Sequence, residues 1–479
     1  MSDDKETRVH PWHSPENAKI KLQPEHGVIT TLGLAEAPMK RQFKAVDIIA
    51  MGFNISNSWA AVAASVVIAI YSGGSVTLLY GTLIVTVTMG SIGLTLAELA
   101  GVYPTAGGQY HFTSILASKR CTRFLSYACG LSGVFSWVAV SSALCLITTQ
   151  ILMAIVIRYN PSYVPEMWHY FLVYQALMIQ SILYNLFILR RTLWIYNIGF
   201  YLSLSLFLAI TISCPARASS LASSQFVWTH FANASGSWSD GITFLIGLSA
   251  PQFMFAGLDA TLHMAEECLE PAIVVPKSIL ATIRIGFGTA FSFSIAIPYC
   301  ITDLDTVLNT PTRFPVYALG EQATRSDTAV TAFMEALLIV SLTALNVIQQ
   351  TSSCLTWSFG RNDALAFPKF ISHVHLSLEV PVYALLHNGF TGVLIGFLFL
   401  VSSTAMNAFI NTSDIICCLS RATPAALLLF GRQSSKYLPQ NQWLRLPNAI
   451  GYVVDIMALA WAILVTIFFS FPSKLPVTA

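Results

Sequence analysis

An apolar run from Ile242 to Phe255 does not span cleanly but breaks into FAGLDATLHMAEECLEPAIVVPK, residues 255–277. Glycine, an acid, a histidine and paired glutamates follow one another at what should be membrane depth. A lipid-facing helix does not tolerate this, because a charge there costs roughly 2.5–3.5 kcal/mol on insertion scales. A discontinuous helix lining a ligand cavity does tolerate it, and solute carriers build binding sites in that way. A chain of that kind should be apolar throughout and interrupted in a second place.

Only 10% of the residues are charged and 55% are hydrophobic, whereas an ordinary soluble domain carries about 25% charged residues. With a mean hydropathy of +0.64, the chain reads as an all-α polytopic membrane protein. Its nine cysteines form no CxxC pair and lie mostly in or beside apolar runs, where cysteine acts as a small hydrophobe. Neither a metal site nor a cofactor motif is expected. The absence of GxSxG, P-loop and HExxH patterns, and of a basic–aromatic surface, argues against an enzyme and against nucleic acid as a partner.

Apolar runs of about 20 residues, the length that crosses a bilayer, fall near 46–70, 76–98, 125–157, 168–189, 193–214, 242–263, 279–301, 328–353, 380–401, 404–430 and 447–470. The polar segment 1–44 has no apolar core of a signal peptide and reads as a disordered cytosolic tail. With the N-terminus inside, 20 of the 25 Lys and Arg residues fall in inner segments, as the positive-inside rule requires. The sequon at Asn233 then lies outside, a candidate for glycosylation. The expected location is the plasma membrane, with the lipid bilayer as solvent.

The first run contains a second interruption, MGFNISNSWAAVAAS, residues 51–65. Small residues there could form a helix-packing face. Alternatively, the segment unwinds and its freed N–H and C=O groups hold a ligand. The pairing favours unwinding, since breaks in spans one and six are five helices apart, the spacing of a five-plus-five inverted repeat. Repeat one would cover 45–214 and repeat two 242–430, with an extra helix at 447–470, all within a permease domain of 45–479. The outer half of helix one would begin near Ser58, its N–H groups suiting a carboxylate. The rings of Phe53, Trp59 or Phe255 would suit an ammonium group.

These segments resemble a known family. GFNISNSWAAVAAS, YSGGSVTLLYG (71–81), LAELAGVYPTAGGQYHF (96–112), FAGLDATLHMAEE, TWSFGRNDALAF (356–367) and VPVYALLHN (380–388) are similar to the amino acid/polyamine/organocation superfamily, most of all its fungal amino acid, GABA and choline permeases. The resemblance covers roughly 43–479. It implies a leucine-transporter-type fold and proton-coupled uptake or exchange of a small amine or amino acid. The family usually has twelve spans, whereas eleven are read here. Gly360, Asn362 and Ala364 depart from the family pattern in a loop thought to help inner gating. These departures make a non-transporting nutrient sensor or degenerate truncated paralogue the alternative.

The expected substrate contacts are Gly52, Phe53, Asn54, Ile55 and Ser56 at the first break, and Phe255, Gly257 and Asp259 at the second. Asp259 is either a cation or proton partner or a helix cap. His263, one turn on, either joins the coupling or hydrogen-bonds a carbonyl. Glu266 and Glu267 are read as gate residues, with Arg361 as a candidate partner, or as a solvated helix end. In span ten, Asp414 and Arg421 are seven residues apart, about 10.5 Å of rise, so each needs a different partner; they are read either as lining charges or as a structural pair. Asn346, Gln349 and Gln350 form one polar stripe, suited either to gluing helices or to lining a cavity. Span five contains no lysine or arginine before Cys214, so a coupling proton falls to an acid or to His263.

Overall fold

The computed structural model describes residues 41–472, apart from short gaps at 219, 237, 304–305, 308–309, 311, 313, 402 and 433–435. The expected tail therefore lies, up to residue 40, outside the described residues. From residue 45 onward the chain is mainly helical, because a bilayer offers no water to satisfy the backbone and each crossing segment must satisfy itself.

In chain order the helices are α1 (Ala45–Ser56), α2 (Ser58–Tyr71), α3 (Gly74–Ala100), α4 (Gln109–Leu116), α5 (Thr122–Tyr159), α6 (Met167–Phe187), α7 (Ile195–Arg217) and α8 (Ser224–Thr229). Then come α9 (Asp240–Gly247), α10 (Ser249–Gln252), α11 (Ala260–His263), α12 (Pro271–Tyr299), α13 (Pro315–Thr324), α14 (Asp327–Arg361), α15 (Pro368–Ile371), α16 (Val382–Val401), α17 (Ser403–Gly431) and α18 (Asn448–Phe468). Among the described residues, nine segments are long and apolar enough to cross a membrane, one of them the broken stretch Asp240–His263. The shorter apolar helix α16 and the α1–α2 pair complete the eleven read from the sequence. The fold is the polytopic one expected, with broken helices in spans one and six.

Two span boundaries differ from the sequence reading by more than three residues. Span seven starts at Pro271 rather than 279, with proline at its first helical position, where the missing N–H costs nothing. Span eight runs to Arg361 rather than 353. A helix that leaves the bilayer no longer needs apolar residues, so hydropathy cannot mark its end. Gly360 consequently lies in a helix. Asn362 just beyond is tied down, its amide donating to Tyr110 Oη (2.9 Å) and to the Ser358 carbonyl (3.1 Å).

The α5 helix has 38 residues, on the order of 57 Å at 1.5 Å per residue, and so exceeds a bilayer core. It packs against α14, α17 and α4, forming one wall around the broken helices.

Candidate functional site

The first break falls at Asn57, three residues after the expected Asn54. Asn57 adopts a left-handed conformation (φ 32°) between α1 and α2, one that asparagine tolerates better than most residues. Its Oδ1 accepts from Ser203 Oγ (2.8 Å), which itself accepts from Trp59 Nε1 (3.0 Å). Gly52 is thus helical and serves packing, since a Cβ there would lie 2.7 Å from Thr282 Oγ1. The second half-helix, α2, starts at Ser58, the expected position.

The second break runs through a 3-10 turn at Phe253–Phe255 and non-helical turns up to Asp259. The two breaks touch. A Cβ on Gly257 would lie 2.1 Å from Ile55 Cγ2 and 3.2 Å from the Ser56 amide nitrogen, so only glycine permits this approach. Ser58 Oγ donates to the Met254 carbonyl (2.7 Å), using an acceptor that unwinding sets free.

Between the breaks and helices α5, α14 and α17 lies a cavity of about 430 Å³. It runs toward Ile68, Phe469 and Phe471, away from the N-terminus of α1. Of the expected contacts, Asn54, Ile55 and Ser56 are on its wall, while Gly52, Phe53, Phe255, Gly257 and Asp259 are not. The side-chain atoms Asn54 Oδ1 and Ser56 Oγ are buried without a protein partner; such groups are uncommon and costly unless a ligand or water meets them. The rings proposed for an ammonium group are elsewhere. Phe53, Trp59 and Phe255 are packed in the apolar core, and the aromatic wall is instead Phe253, Phe314, Phe469 and Phe471.

Asp259 sits behind the cavity in a buried polar network. It occupies the cap position of α11 without a side-chain capping bond. Instead one carboxylate oxygen lies 2.7 Å from Arg421 Nη2. The other accepts from Gln109 Nε2 and from Trp137 Nε1 (3.3 Å), and faces His263 Nε2 at 3.3 Å. His263 Nδ1 meets the Ala106 carbonyl at 2.9 Å; both neighbours only accept, so a neutral ring, with a single N–H, can serve one of them. Arg421 also donates to the carbonyls of Phe255 (3.3 Å) and Ala256. A guanidinium carries five donors in a planar fork, so one side chain neutralises the acid and satisfies the unwound backbone. Arg421, read in span ten from the sequence, is buried there.

Asp414 faces the cavity, and its Oδ2 accepts from Gln252 Nε2 (2.8 Å). Asp414 and Arg421 thus have separate partners, as their spacing requires. Sequence reasoning offers a lining charge as one of two readings of the pair but puts neither residue among the expected contacts, and it passes over Gln109, Trp137 and Gln252. The available signal is the seven-residue separation, which demands partners without saying where.

The end carrying the start of α1 is closed. Arg361 holds Glu266 by two bonds (2.9 and 2.7 Å) and lies over the Trp357 ring at 4.5 Å. Arg190 pairs with Glu267 at 2.7 Å. The backbone amides of Gln42 and Phe43 donate to the Glu267 carbonyl (2.9 and 3.2 Å), strapping the chain before α1 onto the second break. Burial holds the pKa of His111, in α4, below the usual histidine range, with Glu266 opposing the shift. Gln350 bonds Tyr196 and Glu267, Gln349 bonds Met178, and Asn346 accepts at its carbonyl from Asn185. That stripe glues helices and is absent from the cavity wall.

At the opposite end, the amide of Asn233 donates to the Trp238 carbonyl and to Asp240 Oδ1 (both 2.9 Å). Ser235 Oγ donates back to Asn233 Oδ1 at 2.6 Å.

A profile of the family described as amino acid permease matches residues 43–479. A choline transporter of Saccharomyces cerevisiae is 32% identical over 444 residues, covering 92% of this chain and 78% of that protein. A 7-keto 8-aminopelargonic acid transporter of the same yeast is 24% identical, covering 93% and 89%. A swainsonine transporter of Arthroderma benhamiae is 27% identical, covering 92% and 86%. Their names agree on transport and differ in cargo.

Proposed function

This chain belongs to the amino acid permease family, and from that premise we propose that it carries a small amine-bearing solute by alternating access, coupled to protons. As a multi-pass membrane permease it is a transporter rather than an enzyme. The reading rests on one observation: the cavity between the two breaks, where Asn54 and Ser56 present polar atoms without a protein partner. Unwound helices at the midplane are where such folds hold solute, and their ends can reseal as the two halves rock.

Asn54, Ile55 and Ser56 are assigned as direct contacts, while Gly52, Phe53, Phe255 and Gly257 shape the breaks from behind. Asp259 and His263, 3.3 Å apart, are assigned to proton coupling, since an ionisable pair inside a membrane marks a proton or ion path by default. Glu266 and Glu267, with Arg361 and Arg190, act as the gate at the closed end. We place that end in the cytosol, which puts the cavity mouth and Asn233 outside at the plasma membrane. Asn233 remains a candidate for glycosylation there.

Proteoliposomes containing the full chain, given an inward proton gradient, are expected to concentrate radiolabelled choline or an amino acid above the external level. Collapsing the gradient with a protonophore should return the level to equilibrium. Binding without flux under both conditions would sink the transporter reading. Concentration that ignores the protonophore would remove proton coupling alone.

A further inference from the structure

Asp414 is the single ionisable side chain on the cavity wall among the described residues. Its orientation is built. The Trp461 indole N–H can only donate, and it reaches Gln252 Oε1 at 3.0 Å. The amide nitrogen of Gln252 is thereby turned toward Asp414 Oδ2, 2.8 Å away. The other carboxylate oxygen has no protein hydrogen-bond donor among the described residues. Asn54 Oδ1 and Ser56 Oγ, 1% and 3% exposed by residue, are on the same wall and equally without a protein partner.

No cation on that wall answers a carboxylate; its other polar side chains, among them Gln150 and Asn411, are neutral. Arg421 is two turns away in α17, yet it is committed to Asp259 and to the carbonyls of the second break. The N-terminal amides of α2 were expected to hold an anion. Ser58 and Trp59 are off the wall, at 0% and 1% exposure, while Ala60 and Ala61 line it with their amides already bonded to the Asn57 carbonyl. The cavity thus offers one negative charge, acceptor atoms and aromatic rings, which attract a cation, and no positive charge.

We propose that this cavity recognises a small organic monocation lacking a carboxylate, with Asp414 as its counter-ion and Gln252 and Trp461 as positioning residues. The proposal rests on the transporter reading above and narrows its substrate class. A zwitterion would bring its carboxylate into a site that already holds one, and like charges at close range repel.

The test uses the full chain in proteoliposomes, with choline as the cation probe and GABA as the zwitterion probe, and folding checked by monodisperse elution in detergent. Choline uptake is expected to exceed GABA uptake at least tenfold in kcat/KM. Asp414→Asn should raise the choline KM about ten- to a hundredfold, the size of a lost charge-assisted contact, and Asp414→Glu should recover part of it. Trp461→Phe, which frees the Gln252 amide to turn, should raise the choline KM about two- to fivefold with kcat unchanged. GABA transported as well as choline, or an Asp414→Asn variant with the parent choline KM, overturns this proposal while leaving the permease a transporter. A parent protein that neither binds nor moves either probe overturns this proposal, while the gradient-driven uptake assay above decides the transporter reading separately.

Discussion

Two groups of buried charges in this molecule obey different arithmetic. Where α3, α17 and α18 meet, Arg432 lies 2.6 Å from Glu98 and 2.7 Å from Asp455, and Arg445 lies 2.7 Å from Glu98. Thr95 Oγ1 adds a bond of 2.7 Å to Asp455. Two acids meet two bases, and the cluster is neutral. At the centre, Arg421 faces Asp259 directly and Asp414 stands apart on the cavity wall. His263 aside, two acids stand there with one base, and that base is committed to Asp259. Charges that cancel inside a bundle hold helices together. A charge left over, aimed into a cavity, is what the proposed cation would answer.

Experiments on stability can break or sharpen this contrast. The largest effect is expected at the balanced cluster. Arg432→Met leaves Glu98 and Asp455 buried without their shared cation, a loss of about 3–5 kcal/mol, and should abolish monodisperse protein in detergent. A variant that elutes and melts like the parent would show that the cluster contributes little.

Next comes the central pair. Arg421→Gln and Asp259→Asn should each lower the melting temperature, and the double variant should recover part of the loss, with a coupling of about 1–3 kcal/mol. Strict additivity would mean the pair is not an energetic unit. Asp259→Asn is also expected to abolish concentrative uptake while the protein still reaches the membrane; parent-like accumulation would remove Asp259 from the coupling.

Asp414→Asn should barely move stability, by less than about 1 kcal/mol, because it keeps an acceptor for Gln252. Large destabilisation there would turn the leftover charge into a structural one. The smallest effect is expected at the closed end. Arg361→Lys exchanges a two-pronged contact for a point charge and should speed alkylation of Cys354 severalfold, in a background where it is the sole cysteine. An unchanged rate would separate the Glu266 pair from gating.

Much of this was legible in the sequence. All eleven spans were, because satisfying a backbone in lipid demands about 20 apolar residues in a row, whatever lies around them. Both broken helices were visible too, since glycine, asparagine and acids at membrane depth are hard to explain otherwise. The Glu266–Arg361 partnership was named from the sequence because an acid and a base at neighbouring span ends have few alternatives. The Asn57 position of the first break was less legible, because Gly52 and Asn57 are both plausible and only packing against Thr282 assigns the glycine to contact.

The sequence by itself determined that this chain spans a membrane many times, that spans one and six are interrupted, and that Asp259 and Asp414 fall inside apolar runs. It could not determine which charges cancel. Pairing depends on where helices distant in sequence come to stand, and Asp259 and Arg421 are separated by most of the second half of the chain. Tertiary structure alone placed Arg421 on the acid, turned Phe53, Trp59 and Phe255 into core, and left Asp414 facing the cavity. The physical reason is that a carboxylate's role follows from the nearest opposite charge, and distance through space is not written along the chain.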